Sequence, residues 1–382
     1  MPIPIFYSFK RLPLPQQQQG MVLILAMMVV ALVTSLVVAT SWQFELSMSR
    51  NENRWHGIQA RMVLEGGEKL IGKLVLIPDL DDPSDDGNAD HLQEIWMAPI
   101  SREIDGGFIS VNISDAQARF NINLLALQKV PSPDPAVVAL CNRDPELYEC
   151  KYSVSQRRFI RFLQVIPLNE APLTTDQAKE ITDALIDWLD VDSIPNGYGG
   201  AEQDYYSGLE VPIVVSNGPM TSISELSLVK GFTPELYEKL LPYVIALPAN
   251  GPNEALLNIN TMPDLMLRMF NAAALDLPAD EEEAIELIRL RNEKLDVALV
   301  GPGAPLGFQD VQNFIDTVVV GTISGVVNAT DFDGTELVVA TKYFIYSGEV
   351  VIGDKTRRGK SLLFRDAAQR KVITLWRTDA NF

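Results

Sequence analysis

Residues 21–44 read MVLILAMMVVALVTSLVVATSWQF and contain no charged side chain. An α-helix rises about 1.5 Å per residue, so roughly 20 of these residues suffice to cross the 30 Å hydrocarbon core of a bilayer. Lys10 and Arg11 are the only charged residues ahead of the run, and basic residues before a span favour a cytoplasmic N-terminus with an exported remainder. The run therefore predicts a membrane-spanning helix.

Three interpretations of this N-terminus compete. The run is an uncleaved signal anchor, or a cleaved secretory signal, although such signals have apolar cores of only about 7–15 residues. In the third interpretation it follows a type IV prepilin leader, residues 1–20, that is cut between Gly20 and Met21, so that the apolar helix stays in the mature chain. The glutamine run directly before Gly20 favours this third interpretation.

The fifth residue of the mature chain would then be Leu25, where ordinary pilins carry glutamate. A carboxylate inside a bilayer is costly unless it finds a partner. Its usual partner is the N-terminal amine of the subunit ahead in the filament. A subunit with nothing ahead of it lacks that partner, so Leu25 indicates a place at a filament tip; a simple signal anchor would also carry an apolar residue here.

Helical periodicity continues beyond the span. Apolar residues recur at helical spacings on one side of the chain, at Trp55, Ile58, Met62, Leu70 and Leu74. The pattern predicts one long helix over residues 21–77 that ends at Pro78, with this stripe packed on a soluble domain. Two adjacent glycines, Gly66 and Gly67, are expected to let the helix approach a sheet closely.

The rest of the chain alternates between strand-like and helical segments. Residues 106–115 predict a strand, residues 174–300 predict several short helices, and strands return after Gly321 as TISGVV, ELVVATKYFIYSGEVVI, KSLLFRD and KVITLWR. The simplest architecture is an α+β fold, in which a long N-terminal helix packs on an antiparallel sheet and an all-α domain is inserted. The predicted parts are a leader (1–20), a membrane or filament-core helix (21–44), the first part of the α+β domain (45–120), the inserted α-helical domain (121–312) and the C-terminal strands (313–382).

Charge and composition exclude several functions. The 382 residues include 50 acidic and 31 basic side chains, a net charge of −19, and the helical block 171–310 alone holds 23 acidic and 7 basic ones. Such a chain repels phosphate backbones, so no nucleic-acid partner is expected. Two histidines and two cysteines exclude a four-cysteine zinc site, whereas carboxylate sites for hard cations remain open. No Walker loop or G-x-S-x-G elbow is present, and no enzyme is expected.

One acidic segment is a candidate calcium site. Two aspartates three residues apart share a face at a helix end, and the following NGYGG segment lets the chain turn back towards them. Converging carboxylates repel each other without a cation, and calcium takes six to eight oxygen ligands in flexible geometry. A solvated acidic loop without an ion is the alternative. The candidate ligands are Asp187, Asp190, Asp192, Glu202 and Asp204.

The two cysteines, Cys141 and Cys150, bracket a short turn-rich stretch. If this part of the chain is exported to an oxidising compartment, we expect them to form a disulfide. In a reducing compartment they would be two thiols.

Several motifs, in chain order, resemble the GspK family of minor pseudopilins of the bacterial type II secretion system. The matching motifs are the Gly20–Met21 junction, DAQARFNIN (115–123), DWLDVD (187–192), GGAEQDYY (199–206), SISEL and VKG (222–231), LNINT (257–261) and TKYFIYSGEV (341–350). The resemblance implies a pseudopilin fold with a large inserted α-domain that holds calcium, cleavage by a prepilin peptidase, and methylation.

The same resemblance implies a place and a role. The chain would be anchored in the inner membrane by one span, with its globular part in the periplasm. It would cap the pseudopilus tip together with GspI and GspJ, then contact GspH and the major pseudopilin, and support export of folded proteins, touching the secreted substrates there. The alternative is a minor pilin of a DNA-uptake system or type IV pilus with a helix-hairpin-helix head at LNINT, but that hairpin carries a single cation, Lys230.

Overall fold

The computed structural model describes residues 18–81, 89–126, 135–248, 256–300 and 305–378. Most of the predicted leader, residues 1–17, lies outside these ranges. The chain divides into two compact units, residues 1–60 and residues 61–382.

The long N-terminal helix is confirmed. Helix α1 (Gln18–Ile71) leads into a π-helical turn over Gly72–Leu76, and Pro78 begins a separate 3-10 turn. Proline has no N–H to continue the helical ladder, which explains why the helix stops here. The apolar part of α1 is long enough to cross a membrane, with a mean hydropathy of 2.9 in its most apolar window, and this window is not buried at all within the chain.

The predicted packing face of α1 is wrong. All five residues of the apolar stripe Trp55–Leu74 are more than half exposed; they are Trp55, Ile58, Met62, Leu70 and Leu74. In the second unit the buried positions of this segment up to Leu76 are Leu64, Glu68, Ile71, Gly72 and Leu76 instead. Glycines and a glutamate contribute to this buried face, so its hydrophobic signal is weaker than that of the exposed one.

Close approach of α1 to the sheet depends on Gly67. A Cβ atom added there would lie 2.7 Å from Tyr346 Oη, whereas one added at Gly66 would meet nothing within 4 Å. Tyr346 in turn donates a hydrogen bond to the Leu64 carbonyl, 3.1 Å away. The expectation of a close glycine contact is thus confirmed for Gly67 only.

A buried charged group fixes the same segment. The Glu68 carboxylate is 2% exposed and accepts hydrogen bonds from Ser361, Thr374 and Arg377, all on the sheet. Charge-assisted bonds of this kind are stronger than neutral ones, and they compensate for the burial of the carboxylate.

The sheet has five antiparallel strands in the order β1-β2-β7-β8-β9. Four further short strands form two parallel pairs, β3 with β4 and β5 with β6. The strands are β1 (Ile100–Ile104), β2 (Gly107–Asp115), β3 (Phe120–Asn121), β4 (Val244–Ile245), β5 (Leu257–Asn258), β6 (Leu337–Val338), β7 (Tyr343–Ile352), β8 (Lys355–Asp366) and β9 (Lys371–Thr378).

One predicted strand is wrong. Residues 322–327, TISGVV, form turns rather than a strand. Gly321 and Gly325 adopt positive φ angles of 80° and 84°, a conformation that interrupts an extended chain and that glycine tolerates without strain.

The helical block lies between two neighbouring strands of the sheet. Asp115 at the end of β2 pairs with Phe344 near the start of β7, so the chain leaves the sheet and returns at adjacent positions. The helices between them are α2 (Pro135–Arg143), α3 (Tyr148–Lys151), α4 (Val154–Val165), α5 (Thr175–Leu189), α6 (Gln203–Ser207), α7 (Pro234–Leu240), α8 (Glu281–Leu295), α9 (Val297–Val300) and α10 (Val311–Phe314).

Buried apolar residues form a large cluster in the helical block and a smaller one at the sheet. The helical block buries a large cluster that includes Phe159, Leu185, Trp188 and Phe270. A smaller cluster around Leu362 packs the sheet against Ile245 and Leu247, which lie in the segment between β2 and β7. The α+β fold with its helical block is therefore confirmed; the limits at residues 121 and 312 remain a prediction.

Candidate metal centre

The acidic segment begins at the end of α5. Thr174 caps this helix, and its side chain exchanges hydrogen bonds with Gln177 in a capping box. Asp187 lies in the last turn, and Asp190 is the residue at which the helix ends. The chain then makes a loop and returns through Glu202, which precedes α6.

Three of the predicted ligands come together. Asp190, Asp192 and Glu202 each offer a carboxylate oxygen, and these oxygens lie within 4.8 Å of one another. Asp192 is exposed, Asp190 is half-buried and Glu202 is 5% exposed, so the group opens to solvent on one side. This arrangement gives a cation a route in and three charged ligands.

Asp187 precedes this group in the chain, but its carboxylate accepts hydrogen bonds from the loop. Its Oδ1 atom accepts hydrogen bonds from the backbone and side chain of Asn196, at 2.9 and 2.6 Å. Its Oδ2 atom accepts one from the Ala201 backbone at 2.6 Å. Asp187 therefore positions the two ends of the loop, and its oxygens are engaged by these donors.

Asp204 does not join the group. It lies exposed in the first turn of α6 and is absent from the set of converging carboxylates among the residues described. A helical turn places residues 202 and 204 on different sides, since i and i+2 do not face each other.

A residue that the sequence reasoning missed supports the loop. Asp183 lies one turn before Asp187 on α5, accepts a hydrogen bond from Tyr152 Oη at 3.0 Å, and receives another from the Gly199 backbone. A Cβ atom at Gly197, whose φ is +52°, would lie 2.1 Å from Asp183 Oδ2. The i, i+4 spacing of Asp183 and Asp187 was the available signal.

The electrostatics of the group favour a bound cation. Neither carboxylate oxygen of Glu202 has a hydrogen-bond partner within the described ranges, and Asp190 Oδ1 also lacks one there. Burial, followed by the charges of Asp187, Asp190 and Asp192, raises the pKa of Glu202 to about 7. Burial likewise raises the pKa of Asp190, with Asp192 and Asp187 as further causes.

Buried carboxylates without donors are destabilising unless a proton or a cation neutralises them. The charged oxygen ligands are those preferred by calcium, and waters and backbone carbonyls can complete its coordination. The residues present therefore fit a hard divalent cation.

Two other predicted sites can be located. Gly20 and Met21 lie within the first turns of α1, and Met21 is exposed, as is Leu25. Cys141 and Cys150 form a disulfide, with a Cα–Cα distance of 5.2 Å.

The LNINT segment packs inside the protein. Asn258 and Asn260 are fully buried. Asn258 donates to Asp115 at 3.0 Å, and Asn260 both donates to the Phe308 carbonyl and accepts from the Phe308 amide. Lys230 donates to the Gly199 and Gly200 carbonyls. These groups are occupied by internal contacts, which does not favour the DNA-binding alternative.

Comparisons with known proteins agree with this fold. A family model described as "Type II secretion system (T2SS), protein K" matches residues 118–249. The type II secretion system protein K of Pseudomonas aeruginosa is 30% identical over 344 residues, which cover 88% of this chain and 86% of the relative. The protein of the same name from Klebsiella pneumoniae is 28% identical over 373 residues, with 95% and 99% coverage.

A solved structure has the same fold. A chain in the crystal structure of the GspK-GspI-GspJ complex from enterotoxigenic Escherichia coli is matched with a TM-score of 0.63 and 22% sequence identity, over 87% of this chain and 100% of that one. Together with the length and identity of the sequence matches, this places the chain in a family of secretion-system components. The chain belongs to the type II secretion system protein K family.

Proposed function

We propose that this chain is a minor pseudopilin that caps the tip of a periplasmic pseudopilus and thereby supports export of folded proteins across the outer membrane. The single observation that carries the proposal is the surface of α1. Its apolar residues are exposed throughout the predicted span, and the stripe Trp55–Leu74 extends that exposure beyond the membrane. This exposed apolar surface requires lipid around it while the chain is in the membrane, and helices of other subunits around it once the filament has assembled.

The location follows from the same helix. Lys10 and Arg11 precede the span, which favours a cytoplasmic N-terminus. The globular part would then lie in the periplasm, an oxidising compartment that suits the Cys141–Cys150 disulfide. We infer an inner-membrane anchor that a prepilin peptidase processes between Gly20 and Met21 and that is methylated at its new N-terminus.

The place at the tip rests on two features. Leu25 supplies no carboxylate for the N-terminal amine of a subunit ahead. The helical block between β2 and β7 is larger than the sheet domain that carries it, and such bulk blocks a further subunit from stacking on top. Growth would therefore proceed only below this subunit, and secreted substrates would meet it first.

Partners are proposed from the related complex. The solved structure contains GspI and GspJ beside GspK. We infer that the counterparts of GspI and GspJ bind this chain along the stripe Trp55–Leu74, followed by GspH and the major pseudopilin.

The partner proposal predicts a stable three-protein complex. Co-expressed with the GspI and GspJ of the same bacterium, the chain should elute with both in equal amounts, as size-exclusion chromatography with light scattering would measure. Replacing Trp55 and Ile58 by serine removes two exposed apolar contacts and should weaken the complex at least about tenfold. Leu277→Ser, equally exposed but far along the chain in the helical block, is the control. Separate elution of the wild-type chain would contradict the proposal.

The cation site is proposed to hold calcium. Asp190, Asp192 and Glu202 would be its ligands, while Asp187 and Asp183 hold the loop in place. Calcium would supply positive charge to three converging carboxylates and join the end of α5 to the segment before α6. Its role here is structural, since the binding of the ion orders the loop that contains the ligands.

A further inference from the structure

The loops around the carboxylate group expose large apolar side chains to an unusual degree. Four aliphatic residues have between 73% and 84% of their surface exposed; they are Val191, Ile194, Val211 and Val214, hereafter the loop patch. Tyr198, on the intervening loop, is 99% exposed. Single exposed apolar residues are ordinary, but several on neighbouring loops indicate an interaction surface.

Hydrogen bonds hold the two halves of the loop patch side by side. Asn217 donates from Nδ2 to the Asp192 carbonyl at 3.0 Å, which ties the segment after Val214 to the segment that carries Val191 and Ile194. Asp192 Oδ1 also accepts from the Ile194 backbone at 2.8 Å. The chain segments that carry the two halves of the patch are therefore neighbours.

A second pair of bonds anchors the other half. The Gln203 side chain donates to the Ile213 carbonyl at 3.0 Å and accepts from the Val215 backbone at 3.1 Å. These two bonds fix the segment that carries Val214 against α6. α6 follows directly after Glu202. Both halves of the loop patch are thus connected to residues of the proposed cation site.

The charge around the loop patch is predominantly negative, although two lysines from other segments, Lys151 and Lys230, lie beside these loops. Residues 183–217 contain seven acidic residues and no lysine or arginine. Five of them belong to the cation site or its support, while Asp204 and Glu210 are exposed in the same stretch of chain. An occupant that matches this surface presents aliphatic side chains with positive charges next to them. Anionic lipids and nucleic acids are repelled.

We propose that the loop patch docks a protein segment in which aliphatic residues are flanked by lysine or arginine, and that calcium strengthens this docking by fixing the loop. The proposal rests on the proposed cation site. Val191 lies between two of its ligands, Asp190 and Asp192, so an ion held by both fixes the backbone on either side of this patch residue. Docking to a loop that is already ordered costs less conformational entropy.

The probe for this surface is a short labelled peptide, KKLVLKK, with EELVLEE as its charge-reversed match. The full chain is placed in nanodiscs of uncharged phosphatidylcholine, empty nanodiscs serve as the blank, and binding is followed by fluorescence anisotropy. We expect KKLVLKK to bind at least about tenfold more tightly with about 1 mM calcium than with a chelator, and EELVLEE to bind at least about tenfold more weakly than KKLVLKK.

Variants distinguish binding of the peptide to the loop patch from its attraction to acidic side chains elsewhere on the protein. The double variant Ile194→Ser with Val214→Ser keeps every carboxylate and should lose at least about tenfold in affinity for KKLVLKK. Ile285→Ser is the control, because Ile285 is 62% exposed on α8 near Glu281, Glu282 and Glu283, while the next glutamate, Glu286, is paired with Arg289. Equal binding by the double variant and the wild type would overturn the docking proposal.

The same samples distinguish this proposal from the cation site on which it rests. The double variant should keep the rise in Tm that calcium gives to the wild type, because it retains all ligands. A wild-type chain whose Tm ignores calcium, but which binds KKLVLKK through the patch, would overturn the cation site and the calcium dependence of docking. A calcium-dependent Tm together with binding that ignores the patch would overturn the docking alone.

Discussion

Calcium at about 100 times its Kd is expected to raise the Tm of the chain by about 3–4 °C, and Glu202→Gln is expected to abolish most of this rise. A ligand that binds only the folded state at this excess stabilises it by about 2.7 kcal/mol. With an unfolding entropy of about 2.1 cal/mol/K per residue, each kcal/mol moves the Tm of a chain of 382 residues by about 1 °C. Glu202 carries the prediction because it is buried and its oxygens have no hydrogen-bond partner within the described ranges. Differential scanning calorimetry with calcium and with a chelator measures the effect.

A control variant and a comparison without calcium make this experiment more specific. Asp204→Asn removes a carboxylate from the same segment that does not belong to the converging group, so this variant should respond to calcium like the wild type. Without calcium, Glu202→Gln should be at least as stable as the wild type, because it removes a charge from a repulsive cluster. A wild-type Tm that is the same in calcium and in chelator would exclude the site.

The affinity for calcium should also depend on pH in a defined direction. Burial and three neighbouring aspartates raise the pKa of Glu202 to about 7 in the metal-free protein. Calcium binds the ionised form, so a proton must leave before the ion can bind. Below about pH 7 the affinity is therefore expected to fall by up to about tenfold per pH unit, whereas above pH 8 it should be nearly constant.

Asp115→Asn is the second substitution with a large expected effect. The Asp115 carboxylate accepts hydrogen bonds from four donors: the Gln117 backbone and Thr341 on Oδ1, and Asn258 and Thr261 on Oδ2. An asparagine keeps one acceptor oxygen, and its amide confronts two of these donors inside the protein. We expect a loss of about 2–4 kcal/mol, which corresponds to about 2–5 °C in Tm for a chain of this size, measured by circular dichroism of the full chain.

The control for this substitution is Asp105→Asn, which changes an exposed aspartate in the turn between β1 and β2 and should leave Tm nearly unchanged.

The loss of stability caused by Asp115→Asn should also depend on pH. Burial raises the pKa of Asp115 to about 6, although hydrogen bonds from Thr261 and Thr341 oppose this shift. Since the folded pKa lies above the unfolded value near 4, its contribution to stability is full below about pH 4 and is lost as the pH rises through 6. Asparagine does not titrate, so the deficit should grow as the pH is lowered from 7 to 5; a Tm equal to that of the wild type would contradict the role given to Asp115.

Patterns of hydrophobicity in the sequence predicted the elements of the fold well, but not which faces of them are buried. The uncharged run 21–44 and the alternation in β7 are strong periodic signals, and both elements are present. The side of α1 that packs on the sheet combines Leu64 with Gly67 and Glu68, and its burial depends on partners that are some 280 residues or more away in sequence. No local pattern contains those partners.

At the candidate site, too, the sequence predicted the segment involved but not the contacts of each side chain. Sequence spacing located the acidic segment and three carboxylates that converge there, Asp190, Asp192 and Glu202. It did not separate Asp187, whose oxygens are taken by Asn196 and Ala201, from the converging group, because that distinction depends on the path of the loop between them. Asp183 was missed for a related reason, since its contact with Tyr152 joins two helices.

In the proposed function, the apolar part of α1 begins the mature protein and serves both as its membrane anchor and as its contact with other subunits. Intact-mass spectrometry with N-terminal sequencing of the protein, isolated from cells with and without a prepilin peptidase, tests it most directly. We predict a chain that starts at Met21 when the peptidase is present and a chain that retains residues 1–20 when it is absent. A mature chain that starts beyond the apolar run, or one that keeps residues 1–20 in the presence of the peptidase, would contradict it.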